Sequence, residues 1–299
     1  MHKLIANGID ILPYSNNLSW ASDEDALGIE LSFGSLYNLI EGTIVSLYVN
    51  NKEYIRTIVI KKSEGKFSYS YTCFDYSFYL KNEVIKQFNT SASNAISSLL
   101  SEYKIKSSIV SIPIKIEKIY KDEGIAAIID DILEQAESEQ GIKYFKEMQV
   151  DTVVIKKLTD MKITPKILIG KDITINSSIE EMKNKILVVS NGEGNNSIQA
   201  VAEDRSNQNQ FGLLQEIESV DEKDLGQAKN IAKNLLIAKN KIFKDTSLNL
   251  LGIKDAETIK ANRLIEINIA NKLSGWYKIK SASHSLSNNK HTVSISLEW

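Results

Sequence analysis

Three arginines, three histidines, three prolines and one cysteine are all that 299 residues contain of those types. Each scarcity removes a class of function. Arginine is the side chain that forks onto phosphates and guanine edges, so Arg56, Arg205 and Arg263 are too few for a sequence-specific reader of nucleic acid. A lone Cys73 closes no internal disulfide and no multi-cysteine metal site, and its place in line with Phe67, Tyr69 and Tyr71 marks it as a small core hydrophobe. No eighteen apolar residues follow one another, which argues against membrane insertion, and the opening MHKLIANGIDILPY lacks the apolar centre of a signal peptide. The chain is therefore expected to fold and assemble in the cytoplasm. Charge of one sign is missing too: 36 basic and 38 acidic residues leave a net charge of −2, too little to recruit a polyanion.

What is present is an ordinary globular composition, 42% hydrophobic and 25% charged, long enough for two or three domains with cores of their own. Strand alternation dominates both ends. Near the C-terminus Ile265, Ile267 and Ile269 share a face, Trp276 to Lys280 is extended, and Val293, Ile295 and Leu297 alternate with Ser294, Ser296 and Glu298. Near the N-terminus Val45, Leu47 and Val49, then Tyr54 to Ile60, then Phe67, Tyr69 and Tyr71 repeat the pattern. The first triplets are displaced by 220 residues (265 − 45) and the last by 226 (293 − 67), so loops differing by six residues would make Ile44 to Cys73 and Leu264 to Trp299 equivalent.

Leu27, Ile29, Leu31 and Phe33 alternate ahead of the first meander, Asn50-Asn51 and Glu64-Gly65 supply its turns, and residues 1 to about 80 read as all-β. Beyond them the period changes. After Thr90-Ser91, suited to cap a helix, Ile96, Leu99, Leu100 and Tyr103 fall at helical spacing. Ile125, Ile128, Ile129, Ile132, Leu133 and Ala136 form one apolar stripe, with Asp130, Asp131, Glu134 and Glu137 opposite it. Short strands are expected at Ile142 to Phe145 and Thr152 to Ile155, with Pro165 marking the exit from this section. Ser177-Ser178-Ile179-Glu180 reads as a capping box opening a short helix, and Leu187 to Val189 as strand. Asn191 to Gln210 reads as a long exposed loop around a short extended segment near Ile198, and Asp224 to Ile242 as the longest helix.

Chemical constellations are weak. His284 and His291 flank the Ser287-Asn288-Asn289 turn and a hairpin could bring them together, but zinc needs three or four ligands and no third is evident, so they read as polar hairpin residues. Asp130 and Asp131, adjacent on a helix, point about 100° apart and do not converge. NGEGNN (191–196) lacks the Lys-Ser/Thr of a phosphate loop. The run from Asp204 has Asn209 and Gln215 where a calcium loop needs Gly and Glu. No Gly-x-Ser-x-Gly serves His284. The 38 carboxylates always offer pairs for peptidoglycan cleavage, yet nothing promotes one pair above another. The residues thus supply no catalytic, cofactor-binding or metal set. A peptidoglycan-degrading enzyme using paired carboxylates and a carbohydrate-binding β-protein are the other function classes these residues leave open.

Four segments in order resemble the baseplate hub proteins of contractile phage tails and phage-tail-like bacteriocins, the late control protein D group. They are FDYSFYLKNEVIKQFNTSASNAISSLL (Phe74 to Leu100), INSSIEEMKNKILVV (Ile175 to Val189), the Phe211-Gly-Leu-Leu-Gln215 step before Ala228 to Leu236, and WYKIKSASHSLSNNKHTVSISLEW at the end. The resemblance spans nearly the whole chain. It implies an α+β, β-rich fold with two tube-like antiparallel β-barrel domains, 1–84 and 161–299, the second with helical insertions, around a small α/β domain, 85–160. It also implies a non-enzymatic hub: a homotrimer whose six barrels mimic a six-fold tail tube and whose partners are the tube protein, the central spike and other baseplate proteins. Some relatives continue into a spike or lytic domain; with the last strand ending at Trp299, those parts are expected to be separate proteins. A duplicated module in a closed three-fold ring requires heterologous contacts that alternate between its two copies.

Overall fold

The computed structural model describes residues 2–24, 26–170, 173–190, 197–287 and 290–299. The N-terminal strands are β1 (His2–Ala6), β2 (Ile9–Asp10), β3 (Ser15–Asp23), β4 (Glu30–Ser35), β5 (Ile44–Val49), β6 (Lys52–Glu64) and β7 (Tyr69–Asp75). They pair antiparallel in the order β3-β4-β7-β6-β5-β1-β2. Asn50 and Asn51 both take positive φ, 51° and 65°, giving the two-residue hairpin turn whose twist matches the flanking strands. Alternation then delivers Leu4, Leu31, Phe33, Val45, Leu47, Ile55, Val59, Tyr71 and Cys73 to one core. Phe67 corrects the sequence reading: it precedes β7 and is 80% exposed, while Tyr71 and Cys73 are the inward residues and Tyr69 is half-buried.

A helical unit follows, made of β8 (Glu83–Ser91), α1 (Ala92–Glu102), β9 (Lys106–Ile109), β10 (Lys115–Gly124), α2 (Ile125–Gln140), β11 (Tyr144–Gln149) and β12 (Thr152–Lys157). Ser91 Oγ accepts the Asn94 N–H at 3.4 Å, the expected cap of α1. The six residues of the α2 stripe are all buried, and Gly141, at φ 66°, turns the chain out of the helix. A β8–β10 ribbon and a β11-β12-β9 sheet enclose the two helices in a second core.

The remainder runs β13 (Lys162–Ile163), β14 (Lys166–Ile169), β15 (Ile175–Ser178), β16 (Lys185–Ser190), β17 (Ile198–Glu203), α3 (Arg205–Phe211), β18 (Gln215–Val220), α4 (Ala228–Lys239), β19 (Phe243–Lys254), β20 (Leu264–Ile269), β21 (Leu273–Ser287) and β22 (Lys290–Glu298). Three expectations fail here for local reasons. Ser178 Oγ does accept the Glu180 N–H at 3.0 Å, but it caps a turn after β15 and no helix follows. The extended segment expected near Ile198 is β17, but the rest of the expected loop holds α3; polar RSNQNQF has no apolar stripe and is helical because Asp204 caps it, accepting the Asn207 N–H at 3.0 Å. The helix expected from Asp224 begins as a 3-10 turn and becomes α-helical only over Ala228–Lys239, so α2, with 16 residues, is the longest helix among the described residues. The turn at 288–289 and NGEGNN (191–196) lie outside the described residues.

The two ends share a strand plan. The order β5-β6-β7-β4-β3 is matched by β20-β21-β22-β19-β15. Ile44, Val45, Ser46 and Leu47 oppose Ile58, Thr57, Arg56 and Ile55, and Leu264, Ile265, Glu266 and Ile267 oppose Lys278, Tyr277, Trp276 and Gly275, the same pairs displaced by 220 (264 − 44). The register of each meander then steps over one residue, Ile60 in the first and Lys280 in the second, again displaced by 220 (280 − 60). Beyond this bulge Val59 opposes Cys73 and Ile279 opposes Leu297, a displacement of 224 for the third strand (297 − 73), so the loops differ by four residues and Tyr69 is the counterpart of Val293. The fourth strands are displaced by 215 (246 − 31) and the fifth by 155 (175 − 20). One difference is that β1 meets β5 antiparallel whereas β13 meets β20 parallel.

Both modules belong to one 14-stranded sheet. They join where Ser281–Leu286 of β21, beyond its bulge, run antiparallel to Leu18–Asp23 of β3. The second module has its own core around Leu248, Ile265, Ile279, Ile295 and Leu297, and α4 covers the β17-β16-β18 sheet in a fourth. Ile279→Ala, at a fully buried position beside the bulge, is expected to lower the unfolding free energy by about 2–5 kcal/mol. Phe67→Ala should change it by no more than about 0.5 kcal/mol. Urea midpoints with unchanged slope check both.

Candidate functional site

Where the two modules and the helical unit meet, the chain buries charge. β11 carries Glu147, the segment before β20 carries Lys260 and Arg263, β6 carries Tyr54 and β7 ends at Asp75. Arg263 Nη2 donates to Glu147 Oε1 and Oε2 at 2.7 and 2.8 Å, and its guanidinium lies 5.2 Å from the Phe145 ring centroid. Lys260 Nζ sits 4.5 Å from the Tyr54 ring centroid, and the Tyr54 hydroxyl donates to Glu257 O. Burial alone would raise the Glu147 carboxyl, but Lys260 and Arg263 hold it below the usual range. Burial lowers the Lys260 ammonium against the pull of Glu147. Asp75 accepts the Ile29 N–H at 2.7 Å, the Ser77 N–H at 3.0 Å and the Ser77 hydroxyl, yet burial pushes its carboxyl up to about 6. Gly28 permits this arrangement, since a Cβ there would fall 1.8 Å from Ser77 Oγ. The cavity beside Lys260 and Glu147 holds about 20 Å³, room for a water and no substrate.

All three histidines gather at the seam between the modules, His284 and His291 against Trp20 and His2 against His291. His284 lies opposite Trp20 in the β21–β3 ladder, and the rings stack at 4.7 Å and 9°. His284 Nε2 is 2.7 Å from Ile259 O, and because a carbonyl only accepts, that nitrogen carries the proton. Its Nδ1 must then accept from His291 Nε2 at 2.9 Å. His2 meets His291 edge-on at 5.6 Å. Burial lowers all three, with His284 pushed down to about 3 and His291 to about 4. The sequence reading of His284 and His291 as polar hairpin residues is thus corrected: they are core residues, 1% and 8% exposed. Spacing could not reveal His2, which is brought in by the β1–β5 pairing. Among the described residues no group of three or more His, Cys, Asp or Glu is arranged to hold a metal ion.

The other candidates take structural places. Asp131 accepts from Lys118 Nζ at 2.9 Å and from the Tyr120 hydroxyl, while Asp130 pairs with Lys146, so the two carboxylates engage different strands. Asp204 caps α3 and accepts from Asn240 Nδ2 at 2.9 Å. Cys73 is fully buried and its thiol is pushed up to about 12 by burial, which leaves it inert. A groove of about 930 Å³ between α2 and α4 is lined by Glu134, Glu137 and Glu218 as well as Lys118, Lys143 and Lys239. Burial raises the Glu218 carboxyl there, with Glu216 and Glu134 adding to the effect.

A long curled sheet with a duplicated module, a helical unit at the joint and charge buried for packing define a fold shared with phage tail proteins. The chain belongs to the YQBQ-like family, whose model matches residues 18–298. It is 24% identical over 269 residues to the phage-like element PBSX protein XkdQ of Bacillus subtilis (strain 168), covering 87% of this chain and 82% of that protein. The tail protein from Neisseria meningitidis MC58 superimposes with a TM-score of 0.71 at 12% identity, covering 100% of this chain and 96% of that one. The Escherichia coli c3393 protein, a type VI secretion component described as similar to the T4 tail proteins gp27 and gp5, gives 0.57 at 9% identity over 99% and 76% of the two chains.

Arg263→Met, which leaves Glu147 buried without its partner, is expected to cost about 3–5 kcal/mol, and Glu147→Gln in the same chain should recover part of that loss. Chemical denaturation of the single and double variants checks this. The histidines set a pH dependence. With folded values of about 3 and about 4 against an unfolded 6.5, the unfolded chain binds more protons below 6.5, so stability is full above that pH and falls on acidification towards pH 4. Asp75, raised from 3.8 to about 6, acts in the opposite sense over the same window. The difference between wild type and His284→Gln isolates the histidine part: the variant should lose about one proton's worth of slope, a tenfold change in the unfolding constant per pH unit. Denaturant titrations at pH 7, 6 and 5 measure it.

Proposed function

We propose that this chain is a structural baseplate hub, a homotrimeric pseudo-six-fold ring that joins the tail tube to the central spike of a contractile phage tail or phage-tail-like particle. In this reading 1–84 and 161–299 are tube-like β-barrel domains, 85–160 is the small α/β domain between them, and assembly takes place in the bacterial cytoplasm. The observation that carries it is the five-strand repeat with a shared register and a shared bulge. Two like modules in one chain let three chains present six like surfaces, which is what matching a six-fold tube to a three-fold spike demands. Likeness to proteins described as a phage-like element protein, a tail protein and a type VI secretion component supports the same reading. The work is done by interfaces, and the partners are further copies, the tube protein, the spike and neighbouring baseplate proteins.

Light scattering on the purified chain, alone and mixed with the spike protein of the same particle, is expected to give three times the chain mass in at least the mixture. A chain that stays monomeric in both overturns the hub. A cleared zone on a peptidoglycan zymogram, lost on Glu218→Gln, would instead establish the carboxylate enzyme.

A further inference from the structure

The joint within the chain is built from strands that exist twice. Its two edges are Ser281–Leu286 of β21 and Leu18–Asp23 of β3. By the register equivalences, the counterpart of β21 beyond its bulge is Lys61–Glu64 of β6, and the counterpart of β3 is β15, Ile175–Ser178. Both counterparts have one free side among the described residues. Lys61–Glu64 pair only with β7, because the β5 pairing ends at Ile58. β15 pairs only with β19. The two edges lie in different modules, whose one mutual strand pairing is already made by β21 and β3. An open antiparallel edge is a template for another strand.

We propose that these two edges pair between copies of this chain, β6 of one with β15 of the next, so that the joint inside each chain is repeated between chains. This rests on the hub reading and gives its interface a register. Carrying the pairs Ser281–Asp23, Ala282–Ser22, Ser283–Ala21 and His284–Trp20 across the repeat sets Lys61 against Ser178 of the partner subunit. Lys62 then meets Ser177 of the partner subunit, Ser63 meets Asn176 of the partner subunit and Glu64 meets Ile175 of the partner subunit. No like charges oppose one another. At the head of the joint inside the chain the Glu24 N–H donates to Lys280 O at 2.9 Å, and the two side chains pair at 3.7 Å. Their counterparts between chains are Ile179 and Ile60. Ile179 is 40% exposed, and Ile60 is half-buried on the bulge. An ion pair at one joint and an apolar pair at the other keep the two contacts from exchanging partners.

Cysteine cross-linking tests the register, since native Cys73 is buried. Lys62→Cys protein mixed with Ser177→Cys protein and oxidised, with the spike present, should give a two-chain product at least about tenfold more than Lys62→Cys mixed with Asn176→Cys. Neighbouring strand residues point to opposite faces, and a disulfide needs Cα atoms within about 7 Å. Equal or reversed yields from a mixture that scatters as a trimer overturn the register and leave the hub standing. No product from a mixture that scatters as a monomer overturns both. Light scattering on the cysteine variants before oxidation shows that they assemble as the wild type does.

Discussion

The six-residue ladder between β21 and β3 is the constraint on which the rest of the architecture depends. It is the one strand pairing among the described residues that joins the two modules into a single sheet. It exists because β21 cannot keep both neighbours along its whole length. The strand pairs with β20 only as far as Lys278, and the bulge at Lys280 bends it, so that its second half comes to lie along β3. Everything around the seam follows from that bend. Trp20 and His284 are stacked because the ladder places them opposite each other. Lys260 and Arg263 are buried because the segment carrying them must cross behind the joint to start β20, where it meets Tyr54 of the first module and Glu147 of the helical unit.

Burying those charges is not an obvious route to stability. Removing a carboxylate and a guanidinium from water costs several kcal/mol per ion, and an apolar replacement of the same shape is often as stable. The pair is directional, however, where an apolar contact is not. Two N–H···O bonds from one guanidinium nitrogen fix β11, and with it the helical unit, against the segment that enters β20. Asp75 ties β7 to the start of β4 through Ile29 in the same manner. Polar contacts at this junction therefore set how three separately cored units are oriented.

Local pattern made most of the fold legible and left the seam opaque. Strand alternation found Leu31 and Phe33, the turn at Asn50-Asn51 and the Val293, Ile295, Leu297 face, and helical periodicity found all six inward residues of α2, because each of these signals is complete within a few residues. The repeat is visible too, but alternation sets its third strand two residues away from the observed register, 226 against 224 (293 − 67 against 297 − 73). A shift of two preserves the face of every side chain, so alternation alone cannot detect it. Phe67 therefore reads as inward by alternation although it is exposed. The helix α3 leaves no such signal, because a short polar helix held by one Asp cap carries no stripe. The hairpin spacing points to the His284–His291 approach but not to His2, which lies 282 positions from His284 (284 − 2), and only the sheet order brings it to them.

The repeat also explains where the two modules were free to diverge. Between Leu47 and Ile55, and between Ile267 and Gly275, the same number of residues is used differently. The first module spends one on a bulge at Tyr54 and closes with a two-residue turn, whereas the second keeps full pairing and closes with three residues. The bulge re-aims Tyr54 towards Glu257 and Lys260, so the divergence lies where the first module receives the second. The bulge at Ile60 and Lys280, by contrast, is kept in both copies. In each copy it bends the second half of the strand away from its first neighbour, β5 or β20, and so leaves that half an edge of its own. The edge of β6 therefore has the bend of the β21 edge, which is the geometry the proposed pairing between chains uses.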